Sequence, residues 1–198
     1  MIDLTFPLID LTTATLLGTG NERTCYAHPH DPLLVIKVTR PDGAGHGQNV
    51  IEHTYLSALQ RRKASFAHIP RYFGRCETTL GAGILCERIT DADGANSRQL
   101  DVVLREEHIT RAEATQLLEA LFDHLQQEWI VFADAGGNNL FLQQPATGNK
   151  RLVIIDGLGA RHPGMRLWLQ THVPWLARRK NRKQWPRLLF NVWHESGK

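Results

Sequence analysis

The sequence has few cysteines, and their spacing is not that of a disulfide or zinc site. Among 198 residues there are three, Cys25, Cys76 and Cys86, and no pair shows Cys-x-x-Cys spacing. An odd number at irregular intervals argues against both a disulfide framework and a cysteine-ligated zinc ion. We therefore predict three reduced thiols that pack mostly in the interior.

Long apolar runs are also missing. No stretch approaches the ~18 apolar residues required to cross a bilayer, and residues 1–4 lack the features that begin a signal peptide. The composition, 42% hydrophobic and 22% charged, is that of a globular protein and argues against wholesale disorder. These features predict a cytoplasmic protein with no transmembrane segment, built as one domain or as two lobes.

The sequence lacks two common phosphate-binding glycine motifs. There is no Gly-x-x-x-x-Gly-Lys-Ser/Thr, and the pair Gly18-x-Gly20 has Arg23 where a third glycine would stand. The residues after this pair look extended rather than helical, which disfavours a Rossmann unit. A glycine pair between two strands instead suits a flap over phosphates, because glycine lets the backbone amides approach closely.

Acidic residues are scarce toward the end of the chain. From Gly164 onward eight basic residues face a single acidic one, a net charge of +7, so the preceding 163 residues sum to −4. Four of the five tryptophans lie in the same segment. It is either a surface for nucleic acid, an anionic membrane or an anionic substrate, or a terminal helix pair whose tryptophans pack inside. Two helical pieces are predicted, broken around Pro174 and Pro186.

The first half of the chain alternates short apolar runs with turn residues. Strands are predicted at residues 14–17, 23–28 and 33–39, and the short turns between them imply an antiparallel sheet. The further predicted elements are a mobile glycine-rich loop at 41–47, a helix at 48–62, strands at 71–76 and 83–89, and a polar linker at 91–96.

The second half begins with a strong helix signal. Thr110 and Glu113 form a capping box ahead of an apolar stripe at helical spacing, which predicts a helix buried on one side. Short apolar runs at 140–142 and 152–155 are separated by a turn. They are predicted to pair as a β-hairpin.

A lysine and a glutamate occupy positions that a structural sequence seldom gives to charges. Lys37 lies in an apolar strand, either as an edge-strand lysine or because its ammonium meets an anion. Glu52 shares a helix face with apolar residues and needs a cation, which Lys37, Arg23 or Arg40 could supply. A helix glutamate that holds a strand lysine presents the ammonium to phosphates.

Three polar residues flank the predicted hairpin. Asn139 precedes its first strand and Asp156 follows its second, so the two side chains should meet at one end and offer the hard oxygen ligands that magnesium prefers. Asp134 can fold over the same point and orient or deprotonate an attacking hydroxyl. The alternative is ordinary turn chemistry, since Asp, Asn and Gly are frequent in loops.

Four short stretches carry a resemblance to a known family. They are Leu17-Gly18-Thr19-Gly20, Cys25-Tyr26-Ala27-His28-Pro29, Ile36-Lys37-Val38 and Ile69-Pro70-Arg71-Tyr72-x-Gly74. Together with the order of the polar residues, they resemble the protein-kinase-like fold and, more closely, the bacterial YrbL family of PhoP regulatory network proteins. The chain departs from the kinase pattern at Phe132-Ala133-Asp134, where kinases have His-Arg-Asp, and at Asp156-Gly157, where the intervening Phe is missing.

The resemblance implies a fold, ligands and residue roles. The fold is α+β and protein-kinase-like, with an antiparallel-sheet N-lobe containing one helix at 1–92 and a shortened, mainly helical C-lobe at 93–198. The ligands are ATP and Mg²⁺. The implied roles are phosphate contact by Gly18, Gly20 and Lys37, support of the lysine by Glu52, adenine contact near Cys86, Glu87 and Arg88, catalysis by Asp134, and metal binding by Asn139 and Asp156.

Three functional hypotheses follow from these observations. The first is an atypical kinase that transfers the ATP γ-phosphate to a protein or small-molecule acceptor with the help of magnesium. The second is a pseudokinase that acts as a regulatory adaptor without turnover. The third is a nucleic-acid or anionic-surface binding protein that uses the basic tail.

Overall fold

A computed structural model describes residues 8–41, 47–134, 136–160 and 164–195. The glycine-rich loop predicted at 41–47 lies mostly outside these residues. The described part of the chain is α+β, with a five-stranded antiparallel sheet, a smaller three-stranded sheet and helices between and after them. In this part of the chain, no helix combines the length and the hydropathy that a membrane crossing requires.

The larger sheet is formed by the first half of the chain. Its spatial order is β1-β2-β3-β5-β4, and every neighbouring pair is antiparallel. The bounds are β1 Leu16–Thr19, β2 Arg23–Ala27, β3 Leu34–Thr39, β4 Tyr72–Thr78 and β5 Gly81–Glu87. The predicted antiparallel sheet is confirmed, and the two later strands extend farther toward their shared turn than the prediction placed them.

Helix α1, Gln48–Arg61, packs against this sheet. It buries Ile51, Tyr55, Leu56 and Leu59, which follow helical spacing and form one apolar face. The helix therefore covers one side of β3, while a small cluster around Leu11 covers the other.

The second half contains the smaller sheet and the remaining helices. Its elements are β6 Arg98–Gln99, α2 Leu100–Arg105, α3 Arg111–Gln127, a 3-10 turn Gly137–Asn139, β7 Leu140–Gln143, β8 Arg151–Ile154, α4 Met165–His172 and α5 Pro174–Glu195. The sheet order is β6-β7-β8, so the predicted hairpin is confirmed as β7–β8. The predicted capping box is confirmed too, because the Glu113 amide donates to Thr110 Oγ1 at 3.2 Å and the Thr110 amide donates to the Glu113 carboxylate at 2.8 Å.

Helix α5 continues through Pro186, and the prediction of a break there is wrong. A proline removes one amide donor and leaves the carbonyl four residues earlier, that of Arg182, without its helical partner. Both residues are exposed, so water can satisfy that carbonyl. The predicted break at Pro174 is confirmed: α4 ends at His172, and proline suits the first position of a new helix.

One large apolar core joins the two halves of the chain. It contains Tyr55 and Leu59 of α1 together with Leu118 and Leu121 of α3 and Leu152 of β8, all at most 1% exposed. The division at residue 92 stays a prediction. The three cysteines are free, with Cys76 and Cys86 buried and Cys25 half-buried, as expected for reduced packed thiols.

The tryptophans of the tail divide into two groups. Trp185 and Trp193 pack against the large core. Trp168 and Trp175 are 58% and 61% exposed, so the alternative in which the tryptophans of the tail pack inside is wrong for these two. Helical spacing alone could not separate the groups, because which face of α5 is buried depends on where α3 and the loop before the hairpin lie.

Two histidines meet where the connection after α1 contacts α3 and β8. The ring centroids of His68 and His124 are 4.7 Å apart. His68 Nδ1 lies 2.7 Å from the Leu152 carbonyl oxygen and His124 Nε2 lies 3.2 Å from that of Ser65, so each of these nitrogens carries the proton of a neutral ring. Burial lowers the pKa of both, and for His68 the neighbouring His124 and Arg151 lower it further.

Stability is therefore expected to fall as the pH drops from about 7 to about 5. The unfolded histidines bind protons near pH 6.5, whereas the folded pair does so only at lower pH, so stability is fully present above the unfolded pKa and is lost below it. Thermal unfolding across this range should show a shallower slope for His124→Gln, which removes one titrating ring. His172→Gln makes the same replacement at an exposed position away from this pair and serves as the control, and equal slopes in the wild type and His124→Gln would contradict the assignment.

Candidate functional site

Lys37 and Glu52 form a buried ion pair between strand β3 and helix α1. Lys37 Nζ lies 2.7 Å from Glu52 Oε1, and the two residues are 5% and 7% exposed. Strand β3 is flanked by β2 and β5, so the edge-strand interpretation of Lys37 is wrong. The lysine backbone is fixed from the helix side as well, because Asn49 Nδ2 donates to the Lys37 carbonyl at 3.0 Å.

Arg23 is a third charged residue in this cluster, and the site assignment from sequence left it out. It begins β2 and is 4% exposed. Its guanidinium donates to Glu52 Oε2 through one nitrogen and to Asp156 Oδ1 through the other, the latter at 2.6 Å. The Glu52 carboxylate thus binds both Lys37 of β3 and Arg23 of β2, two of the three cations that the sequence offered as its partners. The sequence feature that could have identified Arg23 is its position, because it stands where a glycine-rich phosphate loop would have its third glycine.

The hairpin brings the three polar residues at its end together. Leu140 pairs with Ile154, and the Ile155 amide donates to the Asn139 carbonyl at 3.0 Å, which places Asn139 beside the chain that enters Asp156. Asn139 Nδ2 lies 3.5 Å from Asp134 Oδ2. The first of these contacts is the one that the register of a β7–β8 hairpin predicts, whereas Asp134 reaches Asn139 from the loop before the hairpin.

Gly157 allows the loop of Asp134 to approach the end of the hairpin. Its carbonyl accepts from the amides of Ala133 and Asp134 at 2.7 and 3.1 Å. Its φ is +80°, and a Cβ at this position would lie 2.8 Å from Asp134 Cβ. A side chain at residue 157 would therefore force Asp134 away from Asp156.

Two contacts join the lysine cluster to the hairpin. Lys37 Nζ donates to the Ile155 carbonyl at 2.8 Å, next to Asp156 in sequence. The second contact is the Arg23–Asp156 ion pair. Lys37, Glu52, Asp134, Asn139 and Asp156 therefore lie around one point, although they are spread over 120 positions of the chain.

The pKa values of Lys37 and Asp156 are shifted by burial and by the charges placed beside them. Burial would lower the pKa of Lys37, but the Glu52 carboxylate, with a further contribution from Asp156, favours the charged form, and the pKa of the ammonium is raised. Burial would raise the pKa of Asp156, yet Lys37 and Arg23 hold it below its usual value. The Asp156 side chain, 40% exposed, is the one that solvent reaches most easily, since the side chains of Arg23, Lys37 and Glu52 are less than 10% exposed.

Side chains of α5 and α1 hold the backbone that leads into Asp134. Asn181, 3% exposed, donates to the Ile130 carbonyl at 2.6 Å and accepts from the Phe132 amide at 3.3 Å. Gln184 donates to the Ala133 carbonyl at 3.1 Å, and Tyr55 Oη accepts from the Val131 amide at 2.7 Å. Sequence reasoning missed this support, because polar residues on a basic helix carry no signal of a distant partner.

Backbone hydrogen bonds shape both the glycine pair predicted to contact phosphates and the segment predicted to contact adenine. Gly18 lies in β1 at a register shift, and a Cβ there would meet nothing within 4 Å. The Gly20 amide closes the turn by donating to the Arg23 carbonyl at 2.8 Å. Cys86 is buried in β5, while the Glu87 and Arg88 amides donate to the carbonyls of Arg71 and Leu33, so neither of these donors is available to a base.

Asp156 and Asn139 carry side-chain oxygens that could hold a magnesium ion. Asn139 Nδ2 lies 3.5 Å from Asp134 Oδ2, and no cluster of three His, Cys, Asp or Glu occurs among the residues that the structure describes. Magnesium sites in phosphoryl-transfer proteins commonly use one or two carboxylates and complete their coordination with phosphates and water. The Asp156 carboxylate, 40% exposed, could serve as one such ligand.

Comparison with known proteins places the chain in a family. The sequence model described as PhoP regulatory network protein YrbL matches residues 9–192. Two curated proteins, both titled "Uncharacterized protein YrbL" and found in Escherichia coli (strain K12) and Shigella flexneri, are each 32% identical over 187 residues. These alignments span 92% of this chain and 87% of each relative. The chain belongs to the family of PhoP regulatory network proteins YrbL.

Proposed function

We propose that this protein is an atypical, kinase-like phosphotransferase that binds ATP together with Mg²⁺. The observation that supports this most is the meeting of the buried Lys37–Glu52 pair with Asp134, Asn139 and Asp156. A strand lysine held by a helix glutamate, opposite an aspartate and an asparagine, is the arrangement by which kinase-like proteins hold phosphates and metal. On this proposal, residues 1–92 and 93–198 act as the two lobes of a kinase-like fold.

Each residue has a separate task in the proposed reaction. Lys37 contacts the phosphates, and Glu52 fixes its position. Asp156 and Asn139 hold magnesium, which when bound neutralises the phosphates and orients them. Asp134, which is exposed, orients the acceptor hydroxyl and takes its proton.

The transfer step itself moves one phosphoryl group. The acceptor oxygen forms a bond to the γ-phosphorus while the bond from that phosphorus to the β–γ bridging oxygen breaks. The bond's electron pair leaves with ADP, and the hydroxyl proton passes to the Asp134 carboxylate. The side chains contribute positioning and charge neutralisation, so few of them are needed.

Arg23 makes nucleotide and metal binding interdependent. Asp156 Oδ1 accepts from the Arg23 guanidinium, so this oxygen can bind a metal only after the arginine has moved. A buried guanidinium that loses one of its two carboxylates needs another anion. The triphosphate provides that anion, so ATP and Mg²⁺ should bind much more strongly together than either does alone.

Thermal unfolding with each ligand tests the proposal. Saturating ATP plus Mg²⁺, at ~100 times the dissociation constant, should raise the Tm by about 5–10 °C, while either ligand alone should raise it little. Asp156→Ala should abolish the dependence on magnesium, and the exposed-site control Asp123→Ala should keep it. No shift at millimolar ATP and Mg²⁺ would refute nucleotide binding.

A second candidate function is nucleotide-dependent regulation without turnover. Two observations favour it. Arg23 already binds the proposed metal ligand Asp156, and the Glu87 and Arg88 amides already donate to backbone carbonyls and are not available to adenine. Measuring ADP formation under the conditions that raise the Tm distinguishes the two. Ligand-induced stabilisation without any ADP, and without labelled phosphate on candidate acceptors, would select the regulatory function.

A further inference from the structure

The outer face of helix α5 presents arginines and one tryptophan to solvent. Trp175, Arg178, Arg179 and Arg182 are spaced by three or four residues and therefore share one side of the helix. All four are exposed, and they line a concavity of about 290 Å³. We call this set the arginine face of α5.

The charge of the arginine face is not neutralised. None of its three arginines makes a salt bridge with a residue that the structure describes, and residues 164–194 contain no aspartate or glutamate. Arg178 is nevertheless held in place, because its Nε donates to the Gln126 carbonyl at 3.0 Å and its guanidinium lies 5.8 Å from the Trp129 ring centroid. The face is thus positive and partly fixed in shape before any ligand arrives.

An exposed aromatic ring accompanies these charges. Trp175 is 61% exposed, and the Arg179 guanidinium lies 5.5 Å from its ring centroid. Sites that hold an unpaired base beside its phosphate combine a stacking surface and a cation in this way. A duplex offers no free base face to such a ring.

The other side of α5 argues against a membrane as the partner. Ala177, Asn181 and Leu188 are at most 3% exposed and face the protein interior, so this side of the helix is already packed; Trp175 and Phe190 are exposed but lie about four turns apart and form no continuous apolar side. Helices that lie in a membrane interface need such a side.

We propose that the arginine face binds single-stranded nucleic acid, with Arg179 and Arg182 contacting phosphates and Trp175 stacking on a base. Arg178 stays anchored to α3 and contributes charge. The face shares no residue with the nucleotide site, so this interaction does not rest on the proposed phosphotransferase function.

Fluorescence anisotropy with a labelled 12-nucleotide single-stranded DNA of mixed sequence tests the proposal. Binding should weaken steeply with salt, and Arg179→Gln/Arg182→Gln should weaken it about tenfold and reduce the log–log salt slope by about 1.4, since each lost phosphate contact removes about 0.7. Trp175→Ala should weaken single-strand binding about tenfold and leave binding of the corresponding duplex unchanged. The matched controls are Arg71→Gln/Arg75→Gln, exposed just before and on β4, and Trp168→Ala, exposed on α4.

Four results would overturn the proposal. These are no binding at 100 μM protein in 50 mM salt, equal losses in the control variants, a duplex bound as tightly as the single strand, and binding to phosphatidylglycerol vesicles but not to the oligonucleotide. Circular dichroism of each variant verifies that it is folded. Because every substituted side chain is exposed, we expect all of them to fold.

Discussion

Replacing Glu52 by glutamine is expected to lower the free energy of unfolding by about 3–5 kcal/mol. The carboxylate is the shared partner of Lys37 and Arg23, and all three side chains are less than 10% exposed. Without it, two buried cations face each other and lose their common anion. The cost of breaking a buried pair far exceeds the value of the same charges at a surface.

Urea unfolding measures this loss directly. Glu119→Gln, exposed on α3, removes the same charge and should change stability by less than about 0.5 kcal/mol. Adding Arg23→Met to Glu52→Gln removes one stranded cation and should recover part of the loss, a coupling that a double-mutant cycle reports. A loss below about 1 kcal/mol for Glu52→Gln would mean that the three-residue cluster does not form in solution.

Arg23→Gln is expected to allow the site to bind Mg²⁺ in the absence of ATP. In the wild type, the guanidinium occupies Asp156 Oδ1, and Mg²⁺ without ATP should leave the Tm unchanged. With glutamine at residue 23 the Asp156 carboxylate loses the cation bound to its Oδ1 and keeps only the charge of nearby Lys37, so Mg²⁺ alone should now stabilise the protein. The mutual enhancement between ATP and Mg²⁺ should shrink at the same time.

The comparison is made by titrating each ligand in the presence and absence of the other. Each protein serves as its own baseline, because Arg23→Gln also weakens the buried cluster. Arg98→Gln, which removes an exposed partner of Glu106, carries the same change of charge and should retain the wild-type pattern. If Arg23→Gln responds to magnesium as the wild type does, Arg23 does not control access to Asp156.

The parts of the site that the sequence predicted are those set by local geometry. The register of a hairpin follows from two short strands and the turn between them, so Asn139 and Asp156 could be placed together without a structure. Glu52 required only helical spacing and a nearby strand lysine. Both inferences depend on contacts within or between neighbouring elements.

The parts that the sequence did not predict depend on distant packing. Arg23 in a strand can point to either side of the sheet, and only the position of α1 and the hairpin decides that it spans two carboxylates. The same holds for Asn181 and Gln184, whose partners are the carbonyls of Ile130 and Ala133. The exposure of Trp175 also follows from which face of α5 the core covers.

The hydrogen bonds from α5 to the backbone before Asp134 also set the order in which the site can mature during synthesis. Gln184 is made 50 residues after Asp134. At about 5–20 residues per second, a ribosome needs about 3–10 s for that interval. During this interval the carbonyls of Ile130 and Ala133 lack their partners Asn181 and Gln184, so the segment that carries Asp134 gains its last support only when α5 is made.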